Sequence, residues 1–200
     1  MNKLIQNQAG IEALVVTQTV MAEETSVKQW FAMRDLSRRN SNRMAYQLLS
    51  EAGLEVFTPL TEMILTIRGR KQRRQVPVIQ DMLFVHATRE DLDPYVSANP
   101  MLQYRYFRGK KANEPATVRE EEMNRFISAV SNTENPQYYM PGELARSMYG
   151  KKVRIIGGVF DSFEGKLLSV KGMRKKRLIV EIPNMIATTV EVNPQYIQII

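Results

Sequence analysis

The sequence predicts an α+β protein with two domains, an antiparallel sheet with helices followed by a small five-stranded β-barrel. Three observations predict this class. Residues 28–131 alternate between runs with the two-residue period of strands and runs with the period of helices. Residues 132–149 contain two prolines and no sustained period, which indicates a linker. From Gly150 to residue 200 the pattern is one of short strands separated by turns.

Composition favours an anionic partner in a reducing compartment. The chain has 200 residues, a net charge of +7 and no cysteine. Residues 28–131 hold 17 basic and 12 acidic side chains and residues 150–200 hold 9 and 4, so both predicted domains are basic. A basic surface suits a phosphate backbone, and a generally basic soluble protein is the alternative. The absence of thiols excludes disulfides and favours a cytoplasmic location.

Residues 1–27 are expected to form a poorly ordered leader. Their apolar run is short, interrupted by polar residues and followed by two glutamates, which makes a poor signal peptide. Translation from Met21 is the alternative. The sequence has no stretch with the roughly 18–20 apolar residues that a membrane span requires, so we expect no membrane partner.

The first domain opens with a predicted strand over residues 28–36 and then a helix. The apolar residues at helical spacing are Met44, Ala45, Leu48, Leu49 and Ala52, and Gly53 gives a C-terminal stop. The candidate N-caps are Ser37, Asn40 and Ser41. Three arginines crowd the helix start, where the helix dipole favours carboxylates; they are Arg38, Arg39 and Arg43. An anionic partner would relieve that mismatch, and a solvated basic turn is the alternative.

A long hairpin follows a short strand that breaks at Pro59. The strand pattern of residues 61–67 leads into RGRKQRR, residues 68–74, and returns through residues 75–88. Five of those seven residues are basic, Arg73 and Arg74 among them. We expect them to form a charged tip, where they repel one another unless something negative lies nearby.

The remaining elements complete a β-α-β-β-α-β-α order. A short helix is predicted over residues 89–98 and a strand over residues 101–107. Thr117 and Glu120 have the spacing of a capping box for the last helix. The predicted inner face of that helix is Met123, Phe126, Ile127 and Val130.

Glycines explain how the chain can turn sharply between the strands of a barrel of only about fifty residues. The predicted strands are Lys152–Ile156, Lys166–Val170, Arg177–Ile182, Ile186–Val192 and Tyr196–Ile199. Glycine tolerates positive φ, so Gly157 and Gly158 end the first strand. We expect Phe160 to fold back and seal the barrel end. We expect Gly165 to let the second strand start close to the first.

The sequence offers no convergent set of polar groups of the kind that an enzyme needs. The only histidine, His86, lies in an apolar strand, and a zinc site is not expected without cysteine. No G-x-x-x-x-G-K-S/T phosphate loop is present. We therefore predict a binding protein that is not an enzyme, with no catalytic residue, no metal and no cofactor.

The barrel resembles the KOW motif of NusG-type transcription elongation factors and of some ribosomal proteins. The residues that carry this resemblance are Gly150, Val153, Arg154, Ile155, Gly158, Phe160 and Gly165. The family usually has proline where this chain has Val159 and often glycine where it has Ser162. In the first domain, WFAMRDL and the hairpin with its following strand are similar to the NusG N-terminal domain, so the resemblance covers residues 28–200.

Within that family the chain resembles the specialised UpxY paralogues of capsular polysaccharide loci in Bacteroidales. The general family has a Phe-Pro-Gly-Tyr run where this chain has residues 78–82, and the FVHAT and FRGKK segments are similar to the subgroup. The resemblance implies a transcription elongation and antitermination regulator that binds RNA polymerase and nontemplate DNA. It would suppress pausing and termination at a surface polysaccharide operon.

The resemblance also implies site residues. In the resembled family an apolar edge contacts the clamp region of RNA polymerase, and the residues of this chain that match it most closely are Val78, Ile79 and Met82. The alternative is that these three residues pack in the domain's own core. The residues that match the family's nontemplate-DNA contacts are Arg38, Arg39 and Arg43, and Arg73 and Arg74 are weaker candidates.

A second basic group lies on a predicted turn of the barrel and consists of Arg174, Lys175, Lys176 and Arg177. It suits nascent RNA or an acidic partner, with a solvated turn as the alternative. In the resembled family the barrel recruits a ribosomal protein or a termination factor. Two other functions remain open: a KOW-containing RNA-binding protein of the translation machinery without polymerase contact, and a free DNA-binding repressor.

Overall fold

A computed structural model describes residues 27–39, 41–107, 114–134 and 136–200 of the chain. Contacts divide the chain into two units, Met1–Thr117 and Val118–Ile200. The described residues form three α-helices and antiparallel sheets, so the predicted α+β class is confirmed. The predicted leader lies outside the described residues except for Val27.

The N-terminal unit is built on a sheet with the strand order β2-β5-β1-β6, in which neighbouring strands are antiparallel. Its elements are β1 (Gln29–Asp35), α1 (Ala45–Glu51), β2 (Glu55–Phe57), β3 (Leu60–Ile67), β4 (Arg70–Pro77), β5 (Leu83–Ala87), α2 (Arg89–Ala98), β6 (Leu102–Tyr104) and β7, which is Thr117–Val118 at the unit boundary. Alternate residues of β1 and β5 share one face of the sheet, and the two helices cover that face. The resulting core contains Phe31, Met33, Ala45, Leu49, Leu83, Val85 and Leu92.

Helix α1 ends as predicted but begins differently. Gly53 has a φ of +85°, and its N–H and that of Leu54 donate back to helix carbonyls in a Schellman motif. The helix begins at Ala45, too far along the chain for Ser37 or Ser41 to cap it, and Asn40 lies outside the described residues. The first turn is capped instead from the end of β1, as described below.

Strands β3 and β4 form a two-stranded ribbon, and its turn is shorter than predicted. Ile67 pairs with Arg70, so only Arg68 and Gly69 form the turn. Both have positive φ, +49° and +76°, as in the type I′ turn that joins two-residue hairpins. The prediction that residues 68–74 form the tip is therefore wrong, because the later arginines of that run lie along β4.

Helix α3 spans Glu120–Ser131 and does not use the predicted capping box. Its N-cap is Arg119, without a side-chain cap, while Thr117 lies in β7. Glu120 is therefore the first helical residue instead of the third, which is too early to complete the box. Three glutamates still occupy the first turn, where they complement the helix dipole.

The C-terminal unit contains α3 and a six-stranded antiparallel sheet with the order β13-β9-β10-β11-β12-β8. The strands are β8 (Gln137–Tyr139), β9 (Tyr149–Ile155), β10 (Glu164–Leu168), β11 (Arg177–Ile182), β12 (Ile186–Glu191) and β13 (Ile197–Ile199). The five strands predicted for the barrel are confirmed as β9 to β13. This strand-rich region is consistent with a KOW domain.

The predicted linker, residues 132–149, contains regular structure. Strand β8 lies within it and pairs with β12, and a 3-10 helix spans Arg146–Met148. Helix α3 contacts β11 and β12, so the division by contacts falls at Thr117 and not after residue 131. Functional domains over residues 28–131 and 150–200 stay a prediction.

Close approach between strands explains Gly165. A Cβ placed there would lie 2.7 Å from the carbonyl oxygen of Ile179 in β11. The crowding therefore comes from the third barrel strand, β11, and not from the first strand as predicted. Gly157 and Gly158 follow the end of β9 with positive φ, as predicted. Phe160 is buried, and its role in sealing the barrel end stays a prediction.

Candidate functional site

The apolar segment predicted to contact a partner, residues 78–82, is the loop between β4 and β5. Hydrogen bonds hold both of its ends. The N–H of Val78 donates to the carbonyl of Pro59 (2.8 Å), and the hydroxyl of Thr58 donates to the carbonyl of Met82 (3.0 Å). We call this segment the 78–82 loop; these bonds give it a defined conformation without any partner.

The three apolar residues predicted for this contact are not equally accessible. Val78 and Ile79 are half-buried, whereas Met82 is only 2% exposed. The assignment of Met82 is corrected accordingly, because a side chain buried at the start of β5 adds no area to a surface contact. Val78 and Ile79 are the apolar groups that a partner could reach.

Asp81 is held between two arginines that the sequence did not single out. Its carboxylate lies 3.1 Å from Nε of Arg34 and 3.2 Å from Nη2 of Arg105. Arg105 also donates to the Asp81 carbonyl. The hydrogen bond and the charge of Asp81 raise the pKa of Arg34 above its ordinary value. Because both side chains of the Arg34 pair are partly exposed, the pair adds little stability and acts mainly by orienting the 78–82 loop.

Asp35 organises the segment that carries the predicted DNA-binding arginines. One of its carboxylate oxygens accepts the N–H of Ser37 (2.9 Å), and the other accepts the N–H of Ala45 (3.0 Å). Asp35 is only 7% exposed, so these bonds compensate the burial of a charged group. They also cap α1 and bring residues 36–39 and 41–44 together, which we call the arginine loop.

Arg39 connects the arginine loop to the 78–82 loop. Its guanidinium donates to the carbonyl of Val78 (3.4 Å) and contacts the sulfur of Met63 (3.7 Å). Its Nε has no hydrogen-bond partner among the described residues. Arg39, Ile79 and Gln80 line the same shallow cavity. The structure therefore brings one of the predicted arginines and the predicted apolar contact together on one surface.

Arg38 and Arg43 are the more accessible arginines of the loop. Arg38 is exposed and has no side-chain partner within the described ranges. Arg43 forms an ion pair with Glu51, yet its side chain is 52% exposed. An exposed ion pair of this kind is weak enough for a phosphate to replace the carboxylate.

Arg73 and Arg74 have different roles because neighbouring residues of a strand lie on opposite faces of the sheet. Arg73 is 75% exposed and lies 3.3 Å from Glu62 on β3. Arg74 is half-buried and donates to the carbonyl of Ser41 (3.0 Å), which ties β4 to the arginine loop. The main role of Arg74 is therefore to stabilise the fold, whereas the side chain of Arg73 is available to a ligand.

In the C-terminal unit the KOW-like residues lie on β9 and β10 and on the turn between them. Val153 is buried, and Arg154 donates from Nε to Glu164 on β10 (2.8 Å). The hydrogen bond and charge of Arg154 lower the pKa of Glu164 below its ordinary value. A Cβ at Gly150 would lie 3.0 Å from the carbonyl oxygen of Leu167, so this glycine also marks a close approach.

The basic group predicted on the barrel turn is only partly free. Arg177 lies in β11 and donates to the hydroxyl (3.0 Å) and the carbonyl (2.9 Å) of Thr189, so its assignment to the turn is corrected. Lys175 lies 2.7 Å from Glu191. Arg174 and Lys176 are exposed and could face RNA or an acidic partner.

Ser162 shows how the turn accommodates a departure from the resembled motif. It stands where that family often has glycine, and its φ is +65°, a conformation that glycine adopts without steric cost. Its hydroxyl donates to Asp161 (3.1 Å), which also accepts the N–H of Gly157. These bonds lower the pKa of Asp161. They compensate part of the strain at Ser162.

We expect Ser162→Gly to stabilise the protein by about 0.5–1 kcal/mol, because relief of left-handed strain exceeds the added backbone entropy. Denaturant unfolding measures the change. Ser169→Gly is the matched control, since Ser169 has no positive φ, and it should destabilise by a similar amount. Equal destabilisation by both variants would contradict the interpretation of the turn.

The residues that organise this surface, Asp35, Asp81, Arg34 and Arg105, were missed by the sequence interpretation. Asp35 gave a weak signal, since it is an acidic residue at the end of an apolar strand just before a helix. The other three gave none, because their partners are far away in the chain.

In the part of the chain that the structure describes, no helix is long and apolar enough to cross a membrane. Likewise, the described residues contain no group of three or more histidines or acids that could hold a metal.

Comparison with known proteins adds a family match. Residues 28–127 match the family model described as NusG, transcription termination factor. A solved structure described as the domain interaction in Thermotoga maritima NusG is similar at 19% sequence identity with a TM-score of 0.44, covering 86% of this chain and 97% of that chain. No curated protein matches the chain.

Proposed function

This chain belongs to the NusG family of transcription factors, whose model covers residues 28–127, and from that premise we propose that it binds RNA polymerase and nontemplate DNA. Factors of this family are not enzymes, and they generally bind RNA polymerase. For this chain we propose the same, with the effect of suppressing pausing and termination in the cytoplasm.

One observation carries the proposal: Arg39 donates to the carbonyl of Val78, so the arginine loop and the 78–82 loop form one surface. Val78 and Ile79 supply the apolar part of that surface, which suits the nonpolar stripe of a helix on the polymerase clamp. Arg38 and Arg43 supply charge beside it, within reach of an exposed DNA strand. Met82 supports this surface from the core.

The proposed mechanism is a bridge across the DNA channel. The N-terminal unit would favour the elongation-competent state of the clamp, which requires that it bind this state better than the paused one. Contact with both the clamp and the nontemplate strand would supply that difference, because the two sites keep their relative position only in one state. Pausing and termination would then decrease.

We expect Ile79→Glu to reduce retention of the protein by purified core RNA polymerase about tenfold or more, which corresponds to about 1.4 kcal/mol. A carboxylate in place of an apolar contact must lose water without gaining a partner. Retention on immobilised polymerase at fixed salt measures the effect.

Ile156→Glu is the matched control, because Ile156 is 52% exposed in the C-terminal unit and the same charge is introduced. Both variants must unfold at the wild-type temperature. Failure of the wild type to bind polymerase, or retention of Ile79→Glu at the wild-type level, would overturn the proposal.

The finer proposal concerns the operon. The resemblance of residues 78–82 to the UpxY group supports a role in antitermination at a surface polysaccharide operon. A reporter with a terminator downstream of a candidate leader tests it, with greater readthrough expected when the protein is present. Unchanged or lower readthrough would contradict antitermination, but it would leave the proposal of polymerase binding unaffected.

For the C-terminal unit we propose a KOW domain that recruits a ribosomal protein, a termination factor or nascent RNA. Arg174 and Lys176 are the exposed cations that support this proposal. An RNA-binding protein of the translation machinery is less well supported, because the family match lies on residues 28–127 and not on the barrel that ribosomal proteins share.

A further inference from the structure

The β3–β4 ribbon, Leu60–Pro77, is the most basic element of the N-terminal unit. It carries five cations and one acidic residue, Glu62. We propose that this ribbon is a second nucleic-acid surface, which binds the phosphate backbone of duplex DNA through Arg68, Arg70 and Lys71. This goes beyond the proposed function, since it needs neither the polymerase nor the nontemplate strand.

The structure separates the free cations of the ribbon from the engaged ones. Arg73 pairs with Glu62, and Arg74 donates to the arginine loop. Arg68, Arg70 and Lys71 are exposed and form no ion pair with any described residue. Three unpaired charges within four residues repel one another, and a row of phosphates would relieve that repulsion.

The positions of these charges favour a duplex over a single strand. Successive residues of β4 lie on opposite faces, so Arg70 is on one face and Lys71 and Arg73 are on the other, with Arg68 at the turn. Charges on both sides of a ribbon can meet the two phosphate rows that border a groove, and the major groove admits a two-stranded ribbon. A single strand offers only one row.

The composition of the ribbon supports the same choice. Sites for single-stranded nucleic acid rely on aromatic side chains on which bases stack. Residues 60–77 contain no phenylalanine, tyrosine or tryptophan. Binding by this element therefore has to come from the backbone charge, which is densest on a duplex.

The turn provides an independent argument. Both turn residues have positive φ, and asparagine or glycine is preferred at the first position of a type I′ turn. This chain has arginine there, at a φ of +49°, so the turn carries a long cation where local conformation favours another residue. A ligand for that cation explains the choice.

Fluorescence anisotropy with a labelled DNA duplex and a single strand of the same length, without polymerase, tests the proposal. We expect Arg70→Ala/Lys71→Ala to weaken duplex binding about tenfold. The log–log salt dependence should become less steep by about 2, because two phosphate contacts are lost. Single-strand binding should change less. Lys151→Ala/Lys171→Ala is the matched control, because both lysines are exposed in the C-terminal unit and the change removes the same charge from residues that carry no proposed contact.

Arg68→Asn separates binding from folding. We expect it to lower duplex affinity while raising the thermal midpoint, because asparagine suits the turn better than arginine does. Duplex affinity equal to that of the control variant, or an equal loss for the single strand, would overturn the proposal. A lower thermal midpoint for Arg68→Asn would overturn the argument from the turn. Since no polymerase is present, these outcomes are independent of the pull-down with Ile79→Glu.

Discussion

Gly165→Ala is expected to destabilise the C-terminal unit by about 2–3 kcal/mol. The new Cβ would lie 2.7 Å from the carbonyl oxygen of Ile179 and 3.1 Å from a methyl group of Leu178. The first of these atoms belongs to the backbone of β11, so it cannot move away by a change of rotamer. Strands β10 and β11 would have to separate, with loss of ladder hydrogen bonds. Denaturant unfolding of the full chain measures the change.

Gly172→Ala is the control for this prediction. Gly172 has a φ of +86° but open space around its Cβ position, so alanine there is strained without a steric clash. We expect a cost of about 1 kcal/mol for that conformation. If Gly165→Ala costs no more than Gly172→Ala, close packing of β10 on β11 is not the reason for the glycine.

Asp35→Ala is expected to destabilise the N-terminal unit by about 2–3 kcal/mol. The change leaves the N–H of Ser37 and the N–H of Ala45 without their acceptor, and the second of these groups is buried. The first turn of α1 would lose the acceptor of the Ala45 N–H, although the side chain of Gln47 would still accept the N–H of Met44, and the arginine loop would lose the bonds that close it. Hydrogen exchange at Ala45 should become faster than in the wild type, which reports the cap independently of global unfolding.

Asp35→Asn is the conservative variant. Its amide keeps the size of the side chain and one acceptor oxygen, so it can satisfy one of the two N–H groups. We therefore expect a smaller loss of stability than in Asp35→Ala. Equal stability of Asp35→Ala and the wild type would show that α1 does not depend on this cap.

The strands and helices were largely predictable because their signal is local. Alternation of apolar residues located all five strands of the barrel, and helical spacing located α1 and α3. Gly53 marked the end of α1 because only a residue that tolerates positive φ fits there. The hairpin turn was misplaced because a run of polar residues looks the same in a strand as in a loop. Strand β8 was missed because three residues are too few to show a period.

The candidate surface was predictable in its residues but not in its geometry. Val78, Ile79 and Met82 were predicted as one apolar group, and only the structure separates the buried Met82 from the other two. Five arginines were likewise predicted as DNA-binding residues. The structure shows that Arg74 donates to the carbonyl of Ser41 and that Arg39 donates to the carbonyl of Val78. These partners are tens of residues away in the chain, and no local pattern encodes such contacts.

The amino-acid sequence by itself determined the α+β class, the order of the helices and of most strands, and the two basic regions, because periodicity and charge are properties of neighbouring residues. The division of residues 75–88 into the end of β4, the 78–82 loop and β5 was not predicted. The tertiary structure alone decided which arginines are free, which apolar residues reach solvent and which strand requires Gly165. Those properties depend on side chains brought together from distant parts of the chain, where burial and hydrogen bonding are set by packing.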